Sequence, residues 1–332
     1  MDSLTQIILG AAVGEAVLGR KIGNKAMLYG AIAGTIPDLD VFASFFTDTV
    51  SALKIHRGFT HSIFFSVLFA PVFAYIVTRF ESYKNLKDWC WFFFWTFITH
   101  PILDTQTTWG TQLFWPLDIR LAFKNVFVVD PLYTVPFLVF LLLAMRQKKD
   151  AKKRRLYNNL GLIISSSYLV LTLILKGFAY QKFTKELAIQ GINYKAINTK
   201  PTPLNTILWS ANVATENSYL IGFASFLDKN PIQFSEYPKN HELLGTLAKH
   251  PKMKRMIAIS KGWYTINKKN EQLYFNDLRF GALSMQPNAR NFVFKYKIEV
   301  ASNGTPFFIE EAKEKGDGKK LLSDLWMRIK GN

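Results

Sequence analysis

The chain of 332 residues contains one cysteine, Cys90, so an intramolecular disulfide is excluded. A single cysteine does not indicate whether the protein faces an oxidising or a reducing compartment of the cell. Acidic residues are also scarce, because 24 Asp and Glu stand against 41 Lys and Arg, which gives a formal charge of +17. The basic residues lie in clusters beside apolar runs and are not interleaved with aromatic residues in a nucleic-acid-binding module. Anionic lipid headgroups explain this placement better, and we expect no nucleic-acid partner.

The N-terminal segment lacks the basic start and the small-residue cleavage pattern of a signal peptide, which predicts that it is a first membrane element. Residues 1–180 hold nearly all of the long apolar runs. Hydropathy predicts about six spans, each near the ~20 residues that a transmembrane helix needs, at 4–19, 26–43, 60–80, 89–106, 126–145 and 159–179. The first two are rich in glycine and alanine, which lets helices pack closely in lipid.

Residues 181–332 mix charged, aromatic and β-branched residues with turn signals, a pattern typical of antiparallel strands, and end in a predicted charged helix near 308–328. The predicted fold class is therefore a polytopic α-helical membrane domain over 1–180, followed by a β-rich α+β soluble domain over 181–332. Lysine and arginine are concentrated in the connections after the first, third and fifth spans, which predicts that these connections are cytoplasmic. With six spans, the C-terminal domain is extracytoplasmic.

Three motifs place ionisable residues at the ends of predicted spans, where an unpaired charge is costly and a functional role is the default hypothesis. The second span ends in Pro-Asp-Leu-Asp, the third begins with His-Arg-Gly-Phe-Thr-His-Ser, and the fourth ends in His-Pro-Ile-Leu-Asp. The predicted topology puts all three motifs at the same membrane face. Together they supply three histidines and three aspartates as candidate metal ligands: Asp38, Asp40, His56, His61, His100 and Asp104.

This set of imidazoles and carboxylates is typical of zinc, with manganese and iron as alternatives, and suits magnesium less well. His100 and Asp104 are four residues apart and would share one face of a helix, although Pro101 makes its first turn irregular. Six candidate ligands exceed the four that one tetrahedral ion needs. The sequence therefore leaves open one divalent ion or a two-metal centre that activates water.

Three residues are predicted to take part in catalysis beside the metal. Arg57 could neutralise a phosphate or an oxyanion, or else anchor a phospholipid at the membrane interface. Asp40 or Glu15 could act as a general base. Glu15, among glycine and alanine in the first span, could instead be a further ligand or the partner of a basic residue. Asp130 could orient an imidazole ligand or simply cap a helix.

The start MDSLTQIILGAA, together with PDLD, HRGFTHS and HPILD, resembles a family of bacterial membrane-bound metal-dependent hydrolases that includes LexA-binding inner-membrane proteins. The resemblance covers roughly residues 1–145, and the His-Arg-Gly-x-Thr-His-Ser element is its most specific part. It implies a multi-pass inner-membrane location, metal binding by the six candidate ligands, and hydrolase activity. Many members carry a histidine where this chain has Gln6, so one strong ligand is missing or Glu15 compensates for it.

The sequence therefore predicts a membrane-bound metal-dependent hydrolase, a phosphoesterase that acts through a metal-activated water on a lipid or lipid-linked substrate. A site at the membrane interface suits membrane lipids and amphiphilic substrates, and the C-terminal domain is a candidate lid over it. The alternative is a membrane transporter or sensor scaffold that binds the ion without hydrolysis. In a transporter, the residues that bind the ion are expected near the bilayer midplane, whereas these motifs lie at the ends of the predicted spans. The sequence identifies no protein partner.

Overall fold

The computed structural model describes residues 1–312 and 318–331, which fall into two units. Residues 1–45, 55–174 and 203–205 form the first unit, and residues 46–54, 175–202 and 206 onward form the second. Helices build the first unit, and antiparallel strands dominate the second. The predicted order of a helical region followed by a β-rich region is confirmed.

The elements are numbered along the described part of the chain. The α-helices are α1 (Ser3–Ile22), α2 (Asn24–Thr35), α3 (Thr49–Ile55), α4 (Ile63–Phe80), α5 (Leu86–Asp104), α6 (Pro131–Met145), α7 (Lys152–Ile189), α8 (Pro251–Ile259) and α9 (Gly318–Ile329). The strands are β1 (Ala196–Pro201), β2 (Leu208–Ala214), β3 (Ser218–Ser225), β4 (Phe234–Pro238), β5 (Tyr264–Lys269), β6 (Gln272–Ala282), β7 (Phe292–Val300) and β8 (Pro306–Glu310). Short 3₁₀ helices cover Pro37–Phe45, Phe59–His61 and His241–Lys249.

Helices α1 and α2 approach each other closely through glycines. A Cβ atom added at Gly10 would lie 2.2 Å from the carbonyl oxygen of Gly30, and one at Gly34 would lie 2.7 Å from the carbonyl oxygen of Gln6. Only glycine allows two backbones to approach this closely. An aromatic cluster that includes Trp89 fills the space between α1, α2, α4 and α5.

Two helices in the described ranges, α4 and α7, are long and apolar enough to cross a membrane by length and composition, and α6 is apolar but has 15 residues. The expectation of about six spans is therefore not supported. Helix α2 ends at Thr35 after 12 residues, and a 3₁₀ helix takes over at Pro37, so the predicted span at 26–43 is not one helix. Helix α1 is long enough, but its glycines and the charges of Glu15 and Arg20 lower its hydropathy.

The described part of the second unit contains two four-stranded antiparallel sheets, in the orders β1-β2-β3-β4 and β5-β6-β7-β8. Helix α3, helix α8 and the 3₁₀ helix His241–Lys249 pack their apolar side chains on the core face of the second sheet. The predicted charged helix near 308–328 is present in its later part as α9, whereas its first residues belong to β8. Residues 313–317 of that prediction lie outside the described residues.

Candidate metal centre

The structure brings four of the six predicted ligands together inside the first unit. Asp38 lies in the first turn of the 3₁₀ helix after α2, and His61 ends the short 3₁₀ helix before α4. His100 and Asp104 occupy the last turns of α5, which continues through Pro101. The ligand atoms of these four residues all lie within 4.8 Å of one another.

The distances between the ligand atoms match a small tetrahedral ion. Nε2 of His61 lies 3.2 Å from both His100 Nε2 and Asp38 Oδ1, and 3.5 Å from Asp104 Oδ2. Nε2 of His100 lies 3.4 Å from Asp38 Oδ1 and 3.7 Å from Asp104 Oδ2. Ligands about 2.0–2.1 Å from a tetrahedral zinc ion stand about 3.3 Å apart. The cluster therefore has the dimensions of one such site.

The hydrogen-bond partners of the two imidazoles define which nitrogen faces the centre. Nδ1 of His100 lies 2.7 Å from the carbonyl oxygen of Gly34, which can only accept, so this nitrogen carries a hydrogen. Nδ1 of His61 lies 3.0 Å from the hydroxyl of Thr60, which itself donates to Asp40 Oδ2 over 2.9 Å. Both Nδ1 atoms therefore donate, and both Nε2 atoms present lone pairs to the centre when the imidazoles are neutral.

Two lone pairs at 3.2 Å, with two carboxylate oxygens beside them, repel one another unless a cation lies between them. The pKa of His61 reflects this surplus of negative charge. Burial lowers that pKa, but hydrogen bonds to the carboxylates of Asp104, Asp38 and Asp40 outweigh burial and raise it to about 10. A proton or a metal cation at the centre is therefore strongly favoured.

The structure places Asp40 behind His61, on the side away from the centre. One carboxylate oxygen of Asp40 lies 2.8 Å from His56 Nδ1. The other accepts from the backbone N–H of Arg57 over 2.8 Å and lies 3.2 Å from His61 Nδ1. Asp40 thus orients the imidazoles of His56 and His61, and Asp40 and His56 lie outside the group of four. The role of Thr60 in this network was not predicted, although Thr60 is part of the HRGFTHS motif.

Arg57 is buried inside the site and not at the surface. Its backbone is left-handed, with φ of 59°, and the hydrogen bond of its N–H to Asp40 holds this turn. Its Nε lies 3.1 Å from Asp104 Oδ2, and its Nη1 donates to the hydroxyl of Thr107 over 2.8 Å. Arg57 therefore balances the buried carboxylate of Asp104, which also contacts the amino group of Met1.

Gln6 stands where the resemblance to the membrane-bound hydrolases implies a histidine. Its side chain is buried and donates to Asp104 Oδ1 over 3.0 Å, while its Oε1 atom has no hydrogen-bond partner among the described residues. A buried oxygen without a hydrogen-bond partner, beside the cluster, marks a place where a hydrogen-bond donor or a cation would fit. Gln6 thus adjoins the centre as a weak, neutral candidate ligand.

Glu15 and Asp130 lie outside the cluster. Glu15 makes a two-pronged ion pair with Arg154, with distances of 2.6 Å to Nε and 2.5 Å to Nη2, and both side chains are buried. The sequence left several roles open for Glu15, and in the structure Glu15 is the partner of a basic residue. Asp130 caps α6 by accepting from the backbone N–H groups of Leu132 and Tyr133, and it also accepts from the Tyr168 hydroxyl.

Residues 1–181 match the family model described as YdjM inner membrane protein. The inner membrane protein YbcI of Escherichia coli (strain K12) is 26% identical over 113 residues, which cover 34% of this chain and 64% of that protein, less than two thirds of its length. No solved structure matches. Both names state a membrane location, which agrees with the predicted membrane protein, and neither states a hydrolase. Because the family model covers more than half of the 332 residues, the chain belongs to the YdjM inner membrane protein family.

Proposed function

We propose that the chain is a membrane-bound metal-dependent hydrolase, with one divalent ion, zinc in preference to manganese or iron, held by Asp38, His61, His100 and Asp104. The observation that carries this proposal is the pair of Nε2 atoms that face each other at 3.2 Å, each with its Nδ1 engaged elsewhere. Four ligands at tetrahedral spacing suit one ion better than two. Such an ion would supply Lewis acidity to a substrate oxygen or a water, which it would have to bind in addition to its four protein ligands, on the exposed side of Asp38.

His56 is suited to proton transfer beside this centre. Its ring lies 6.1 Å from the ring of His61, and its side chain is 30% exposed, whereas those of His61 and His100 are buried. Asp40 accepts from its Nδ1, which leaves Nε2 as the basic nitrogen, as in a histidine that a carboxylate orients for general acid–base catalysis. Asp40 acts through the imidazole and is a positioning residue.

The proposed substrate class is a phosphoester of a lipid or a lipid-linked molecule, and the surroundings of the centre support its amphiphilic character. The 3₁₀ helix Pro37–Phe45 carries Asp38 and also exposes four large apolar side chains, each more than half accessible: Leu39, Val41, Phe42 and Phe45. Exposed apolar surface of this kind beside a polar site is typical of contact with a membrane or an amphiphilic ligand. Asp38 is itself 29% exposed and marks the open side of the centre.

The test uses the full chain in phosphatidylcholine nanodiscs, with metal analysis and a panel of soluble and lipid-linked phosphoesters. The His100→Ala variant should lose both the metal and turnover. The His56→Gln variant should keep one ion per chain and lose at least about 100-fold in turnover, the size of a general acid–base contribution. His250→Asn is the matched control, because that imidazole caps α8 in the second unit.

Tight metal binding by the wild type without turnover of any panel member would refute the hydrolase. It would support the transporter or sensor, which binds the same ion reversibly. Equal turnover by His56→Gln and the wild type would refute the proton-transfer role alone. The side of the membrane on which the C-terminal domain lies, and its action as a lid, stay predictions, and protease added to each side of sealed vesicles tests the first of them.

A further inference from the structure

The second unit contains a cleft that the proposed hydrolase does not use. It has a volume of about 520 Å³, within the range of ligand-binding pockets, about 300–1,000 Å³. Tyr274 of β6 and Lys295 of β7 line it. Side chains alternate along a strand, so these residues lie on the face of the sheet opposite the core residues Phe275 and Tyr296. The cleft is therefore a feature of the outer face and not a packing defect of the core.

The charge around this cleft is strongly positive. Among the described residues, four basic residues line it, including Lys269, Arg290 and Lys295, against one acidic residue, Glu311. Like charges gathered at one concave surface repel one another, and an anion bound between them relieves that repulsion. The lining therefore selects for a ligand with negative charge.

Two of these four cations are held in ion pairs, and two are available to a ligand. The ammonium group of Lys268 lies 2.6 Å from the carboxylate of Glu271. The ammonium group of Lys295 lies 2.6 Å from the carboxylate of Glu311 and 4.1 Å from the centre of the Tyr274 ring. Within 1–312 and 318–331, no carboxylate lies within ion-pair distance of Lys269 or Arg290, and both side chains are exposed. A guanidinium group binds two oxygens of a phosphate at once, and an ammonium group elsewhere in the same cleft adds to its positive potential.

The other residues that line the cleft indicate which chemical groups the anionic ligand carries besides its negative charge. Three asparagine side chains supply amide donors and acceptors, and the Tyr274 ring and the buried Phe292 supply a small apolar surface. Hydroxyl groups of a sugar or of glycerol bind to such amides, and their carbon skeletons pack on aromatic rings. We propose that this cleft binds a phosphate ester with a small polyhydroxyl group, with Arg290 as the phosphate ligand and Lys269 adding to the positive potential of the cleft.

The proposal does not depend on the metal centre or on hydrolysis. The full chain in phosphatidylcholine nanodiscs is titrated calorimetrically with glycerol phosphate at fixed salt, and, separately, its recruitment to vesicles that contain phosphatidylglycerol is measured. The test variant is Lys269→Gln/Arg290→Gln. The matched control is Lys229→Gln/Arg255→Gln, which removes one exposed lysine and one exposed arginine from other surfaces of the same unit. All four side chains are exposed, so both double variants should fold normally.

The proposal is supported, with a soluble ester as the ligand, if the wild type binds glycerol phosphate, the test variant binds it at least tenfold more weakly, and the control variant binds it as the wild type does. Recruitment to vesicles alone, with the same dependence on the two variants, supports it with a lipid headgroup as the source. Absence of both would overturn it. Equal losses in the two double variants would also overturn it, because binding would then follow net charge and not the cleft.

Discussion

The ion pair between Glu15 and Arg154 predicts that Glu15→Gln destabilises the first unit without touching the chemistry of the metal centre. Glu15 accepts two charge-assisted hydrogen bonds from Arg154, at 2.6 and 2.5 Å, and both side chains are buried. A glutamine can accept only one of them and leaves the guanidinium charge uncompensated. Breaking a buried pair by removing one partner costs about 3–5 kcal/mol. Arg154 also donates to Asn24 and to the carbonyl of Gln147, so we expect a loss near the lower limit, about 3 kcal/mol.

The free energy of unfolding of the full chain is measured by denaturant titration in detergent micelles, and metal content is measured on the folded fraction. The Glu15→Leu/Arg154→Leu variant should recover most of the lost stability, because no buried charge is left unpaired. Glu216→Gln is the control, since the Lys195–Glu216 pair is exposed and its loss should change little. A Glu15→Gln variant with wild-type stability but no turnover would refute the reasoning and return Glu15 to the catalytic residues.

Three further predictions concern the centre and its support. Asp40→Asn should weaken metal affinity about 10–100-fold with the fold retained, because the carboxylate that orients two imidazoles is lost; competition with a chelator measures this. Gly30→Ala should destabilise the chain by at least about 1–3 kcal/mol, because its Cβ would lie 2.2 Å from the carbonyl oxygen of Gly10, whereas Gly177→Ala meets no atom within 4 Å and should not. Gln6→His should tighten metal binding without raising the number of ions per chain, as titration calorimetry with elemental analysis can show.

Each of these predictions has an outcome that contradicts it. Unchanged metal affinity in Asp40→Asn would mean that the second carboxylate of the Pro-Asp-Leu-Asp motif does not orient the ligands. Equal stability of the two glycine variants would mean that α1 and α2 do not pack as described. Two ions in Gln6→His would restore the two-metal centre that the sequence left open.

The meeting of the three motifs could be predicted from the sequence, because charged residues at the ends of apolar segments need partners. His61, His100 and Asp104 lie together in the structure as that argument requires. The division of roles could not be predicted. Asp38 and Asp40 are two residues apart, and only the path of the 3₁₀ helix Pro37–Phe45 determines which carboxylate faces the centre.

The number of spans could not be read from hydropathy, because hydropathy does not locate the ends of helices. The apolar run at 26–43 contains a helix that ends at Thr35 and a 3₁₀ helix that begins at Pro37. The partner of Glu15 also could not be predicted from the sequence. Arg154 lies 139 residues away, inside a run of basic residues whose members look equivalent until the chain is folded.

The glycine contact between α1 and α2 has a consequence for the proton on His100. Gly34 lies in this contact, and its carbonyl oxygen is the acceptor for Nδ1 of His100. The distance between the two helices therefore sets where that carbonyl points, and through it which nitrogen of the imidazole is free to bind a metal. A bulkier residue in the contact would act on the metal centre without adjoining it, so the packing of α1 on α2 and the ligand basicity of His100 are coupled in this chain.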